Sequence, residues 1–168
     1  MSPNRRGKVF CVLAAISLAA MLPAHAAHDF GAGELLGSPK KGTDPIDRYS
    51  GSIQVALLMC SVAQRLNNTV AEGQKLGTEI PSETAEMANY EECIAQYKRT
   101  LRTIYEKTTS TMKKPVARAA LKEHFIQAIV SLEGIAPNTD EMRISYKTRQ
   151  NQNEAKLKEL WTRFEIER

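Results

Sequence analysis

Two cysteines, Cys60 and Cys93, lie downstream of a cysteine-bearing leader, far apart in sequence and each on an apolar helical stripe. Their midpoint falls between Leu76 and Gly77, inside the loop that joins two expected helices. Positions equidistant from the turn of an antiparallel hairpin sit at one height, so the spacing predicts a disulfide across the seam. Closing a loop of about 33 residues should stabilise the fold by roughly 3–4 kcal/mol in the chain-entropy model. Buried free thiols are the plainer alternative. A redox pair would more commonly read C-x-x-C.

Other chemistry is sparse. Outside the leader the histidines are His28 and His124. No Glu-x-x-His or His-x-x-x-His pair sits on a helix face, so neither a di-iron set nor a zinc site is expected. His124 reads as a partly exposed helix residue without a partner. Glu91 and Glu92 beside Cys93 diverge around the helix axis and read as a solvated face. No nucleophile elbow, P-loop or dinucleotide glycine pattern occurs. No catalytic, cofactor-binding or metal-ligating residues are therefore assigned, and no enzyme activity is expected.

Two aromatic groupings remain. Tyr90, Tyr97 and Tyr105 recur near the seven-residue spacing, which reads first as core packing and second as a ligand pocket. Leu157, Leu160, Trp161 and Phe164 make a C-terminal stripe of large apolar groups. It is expected either to dock on the body or, if the polar run Lys147–Asn153 carries it clear, to meet a partner.

These residues need helices to hold them. The three-and-four spacing of apolar residues recurs, and strand alternation is hard to find. Helix one is expected over Pro45–Ala71, with Asp44 as N-cap and Pro45 at the first helical position. Its face is Ile46, Tyr49, Ile53, Leu57, Cys60, Ala63, Leu66 and Val70. Helix two is expected from Ser82 to Met112, and Pro115 cannot continue it. Helix three should run from Pro115 to Gly134. Its Phe125–Val130 stretch is apolar almost all round, which predicts a central position. Helix four should run from about Thr139 to the end of the chain, capped by Asn138 or Thr139, with Asp140 and Glu141 in its first turn. The expected fold is all-α: an antiparallel bundle of about four helices, with a flexible N-terminal arm and a long C-terminal helix.

The amino terminus reads as an export signal. Arg5, Arg6 and Lys8 precede the uncharged run Val9–Leu22, and Ala24-His25-Ala26 gives a cleavage pattern. The run is shorter than the roughly 20 residues a membrane span needs. The organisation is then leader 1–26, flexible arm 27–45 and helical domain 46–168. Removing three of the 23 basic residues leaves 20 against 19 acidic ones, a net charge of +1. That balance supplies no basic face for nucleic acid.

The reading that follows is an exported, non-catalytic interaction protein of the bacterial envelope. It would bind another protein, as an inhibitor, an immunity-type protector or an assembly accessory. The alternatives are a periplasmic chaperone or stress-type protein holding unfolded clients, and a small-ligand-binding bundle. The expected location is the periplasm or, failing that, the medium.

Overall fold

The computed structural model describes residues 28–37 and 42–168. The expected leader, 1–26, lies outside the described residues. Among the described residues the chain is all-helical, apart from turns and loops, and no helix is long and apolar enough to cross a membrane.

Helix α1 spans Pro45–Lys75. The Asp44 side chain accepts a hydrogen bond from the Ile46 N–H at 2.8 Å, which satisfies one of the donors a helix start leaves free. The helix runs past the expected Ala71 because Gly73 stays helical. It ends at Lys75, with Leu76 as its C-cap and Gly77 beyond at a φ of +72°. Glycine takes that left-handed conformation without a Cβ penalty. The Gly77 N–H then donates to the Gln74 carbonyl at 3.1 Å, and the Thr78 N–H to that of Gly73 at 2.9 Å.

The single helix expected from Ser82 to Met112 is two helices, α2 (Ser82–Met87) and α3 (Tyr90–Thr111). Asn89 divides them. Its side-chain oxygen accepts from the Glu92 N–H at 3.1 Å, which starts a new helix. A short polar side chain competes with the helical ladder in this way. Helix α4 spans Pro115–Glu133 and α5 spans Arg143–Glu167. The α5 start is a correction. Asp140 adopts φ +62°, and the helix begins after Met142 with no side-chain cap.

The architecture is two antiparallel hairpins, α1–α3 and α4–α5, packed on each other around one core. Cys60 and Cys93 are bonded, with Cα atoms 5.5 Å apart, at matched heights on α1 and α3. The predicted pairing is therefore present. Across α4–α5, Arg163 pairs with Glu123 at 2.7 Å. The Gln127 side-chain amide donates to Asn153 at 3.3 Å. Both contacts fix the antiparallel register.

Two further expectations change. Helix α4 is not enclosed: Ile126 and Val130 are exposed on its outer side. A four-helix bundle leaves each helix an outward face, and an all-round apolar segment does not create another neighbour. The expected flexible arm is anchored over residues 28–37. Phe30 and Ala32 are buried, and the Tyr97 hydroxyl donates to the Phe30 carbonyl at 2.8 Å. Gln96 accepts from the Phe30 N–H at 3.3 Å and donates to the His28 carbonyl at 2.8 Å. These bonds satisfy backbone groups that a loose segment would leave to water.

Candidate functional site

Helix α5 packs on α4 and also borders α1. Leu160 and Phe164 are buried in the core side of the helix. Arg143, Tyr146, Lys147, Gln150, Asn153, Glu154 and Leu157 line the space between α5 and α1. The seven-residue polar run is continuous helix and stays on the body. Arg149 is the reason. Its guanidinium donates to the carbonyls of Gly134 at 2.9 Å and Ala136 at 3.0 Å, and to both Glu141 carboxylate oxygens at 3.0 and 2.7 Å. Gln150 also donates to the Gly134 carbonyl, and the Tyr146 hydroxyl to that of Ile135. The polar run thus satisfies the carbonyls at and just beyond the C-terminal end of α4. The Arg149 hydrogen bonds and then the Asn138 N–H hold the Glu141 carboxyl at about 2, below its ordinary 4.5.

The apolar C-terminal stripe docks. Phe164 is fully buried, Leu160 is buried, and Leu157 and Trp161 are half-buried against the core. Of the two outcomes expected for the stripe, docking on the body is the one observed: Leu160 and Phe164 are core, and Trp161 is packed among rings, so partner contact is left to the exposed part of Leu157. Trp161 stacks on Tyr49 at 6.3 Å between centroids, with His124 at 5.1 Å and Phe164 at 5.2 Å.

His124 is a second correction. It is 4% exposed, and its Nδ1 lies 2.9 Å from the Tyr49 hydroxyl. Burial lowers its pKa from 6.5 to about 4, so the ring is neutral at pH 7. Burial also pushes the Tyr49 phenol well above its ordinary value. Tyr97 anchors the arm, and Tyr105 stacks on Phe125 at 4.4 Å. The tyrosine stripe is therefore packing. Among the described residues no group of three or more His, Cys, Asp or Glu side chains is placed to hold a metal ion.

The open feature lies between α1 and α5. The two helices meet at Tyr49 and Trp161. Farther toward the C-terminal end of α1, two adjoining hollows of about 420 and 430 Å³ separate them. Both hollows are lined by Ser61, Arg65, Ile135 and Gln150, so they form one groove. Leu57, Leu58 and Leu157 line one part of it, with Glu154 beside Leu157, and Arg65, Arg143 and Lys147 line its far end, where no carboxylate joins them. Leu58 is 63% exposed. Val55, Met59 and Val62 continue that exposure along the outside of α1, at helical spacing from Leu58.

Of these groove residues the sequence reading singled out only Leu157 as a contact. The missed signal was legible. No charged residue occurs between Arg48 and Arg65. Such a helix is apolar on its outer side as well as on the side that carries Cys60. No protein-family model, curated protein or solved structure matches the chain.

Proposed function

We propose that the protein is an exported, non-catalytic interaction protein of the bacterial envelope, and that it binds another protein through the α1–α5 groove. The observation that carries the reading is Leu58, a large apolar side chain left mostly in water on the wall of an open groove. Exposed apolar surface at a concave site is the usual mark of a binding surface. The Cys60–Cys93 bond suits an oxidising compartment, and the leader pattern of residues 1–26 leads to the same place. The bond also ties α1 to α3, which fixes one wall of the groove.

A photo-crosslinking amino acid at position 58 tests the reading in cells that export the protein. Position 122, on the exposed face of α4, is the control. The expected result is a discrete protein adduct from position 58 and none from 122. Equal adducts from both positions, or none from either, would end the proposal. A ladder of unrelated adducts from position 58 alone would favour the chaperone reading instead.

A further inference from the structure

The groove is chemically polarised, and that polarity specifies what fits it. At its far end Arg65 faces Arg143 and Lys147 across the gap between α1 and α5. None of the three has an ion-pair partner among the described residues. Arg143 and Lys147 also lie in the first turns of α5, where the helix dipole is positive and cations are disfavoured. Neither a side-chain cap nor a first-turn acid offsets that potential. Charge is thus concentrated where the fold itself gains nothing from it.

The apolar section, Leu57, Leu58 and Leu157, begins two helical turns away. Arg65 to Leu58 is seven residues of α1, or roughly 10 Å at 1.5 Å per residue. We propose that the groove receives an acidic amphipathic helix of a partner protein. Its carboxylates would meet Arg65, Arg143 and Lys147, and its aliphatic side chains, two turns on, would cover Leu58 and Leu157. A helix laid between two antiparallel helices packs its ridges into their grooves, as helix-in-groove recognition commonly does. The positive end sets the direction and steers the encounter, and the leucines supply the buried area. This inference rests on the protein-binding reading above and adds the chemistry of the partner.

The test uses the oxidised protein and two dye-labelled synthetic helices. One carries glutamates two turns from a leucine face; the other is identical with lysine in place of glutamate. Binding is read by fluorescence anisotropy at low and moderate salt. The glutamate helix should bind the more tightly, and added salt should weaken it. The triple reversal Arg65→Glu, Arg143→Glu, Lys147→Glu should lower that affinity about tenfold or more and favour the lysine helix. All three positions are exposed, and a melting temperature no lower than that of the wild type would show that the fold is kept. Leu58→Asp should weaken both helices.

Equal binding of the two helices, no binding of either, or indifference to the triple reversal would overturn the inference. So would loss of phosphatidylglycerol-vesicle binding on the triple reversal, since lipid headgroups would then be what the cations meet. A dimer dissolved by the reversal would assign the groove to a second copy and overturn it equally. An adduct at position 58 that survives the reversal would sink the acidic helix while leaving the protein-binding reading intact.

Discussion

The Tyr49 hydroxyl oxygen sits 2.9 Å from Nδ1 of His124, and both side chains are buried where α1, α4 and α5 converge. The pair makes the bundle acid-sensitive in a defined window. Folding lowers the His124 pKa from 6.5 to about 4. Above pH 6.5 the ring is neutral in both states and contributes no pH dependence. As pH falls from 6.5 toward 4, the unfolded chain takes up the proton and the folded chain does not, so stability drops. Below about 4 both states are protonated, and the loss levels off near roughly 3 kcal/mol. Denaturant titrations of wild type and His124→Gln across this range should diverge by that much, with wild type the more pH-dependent. Parallel curves would remove His124 from the account.

Acid acts separately at Glu141. Its folded pKa is depressed, so its contribution is present above the unfolded 4.5 and is lost as pH falls toward 2. Glu141→Gln should flatten that lower window and leave the one between 6.5 and 4 unchanged. The partner Arg149 also holds the Gly134 and Ala136 carbonyls. Arg149→Ala should therefore cost roughly 1.5–3 kcal/mol, the range for hydrogen bonds to charged groups. Arg149→Lys should recover only part of that, because an ammonium cannot span carbonyls and carboxylate together. Urea midpoints decide between the two.

The covalent link between α1 and α3 gives a third expectation. Cys60→Ala with Cys93→Ala, or reduction of the wild type, should lower stability by roughly 3–4 kcal/mol. The double variant should be indifferent to reductant. If wild type and the double variant unfold together under oxidising conditions, the pair is not bonded in the isolated protein.

What the sequence disclosed, and what it hid, follows one physical line. The Cys60–Cys93 pairing was readable because two matched heights on a hairpin are a local matter of counting from the turn. Asp44 and Pro45 were readable for the same reason, since a cap is decided within one turn of chain. Asn89 is equally local, but apolar periodicity carries no trace of it: the break is made by its short polar side chain capping the Glu92 N–H. The apolar outer face of α1 was readable from its uncharged stretch, but the charged end of the groove was not. Arg65, Arg143 and Lys147 are widely separated along the chain, and only the tertiary arrangement brings them to one end of a cleft. His124 misled because its burial depends on α1 and α5 closing over it. The polar run 147–153 misled because its partners are carbonyls beyond the end of α4, which no side-chain pattern announces.

The C-terminal stripe tests whether burial or exposure governs α5. Phe164 makes ring contact with Trp161 and is fully enclosed, whereas Leu157 is half-buried on the groove wall. Removing a phenyl ring from such a site leaves a cavity, so Phe164→Ala should destabilise by about 3–5 kcal/mol. Leu157→Ala should cost less, because water already reaches part of that side chain, and its larger effect should fall on glutamate-helix binding. Trp161→Ala belongs with Phe164: it opens the ring cluster around Tyr49 and His124 and should lower the melting temperature by several degrees. Thermal denaturation of the three variants, beside anisotropy on Leu157→Ala, separates the roles. If Phe164→Ala and Trp161→Ala melt with wild type, α5 does not pack on the bundle in solution, and its apolar stripe is free for a partner after all.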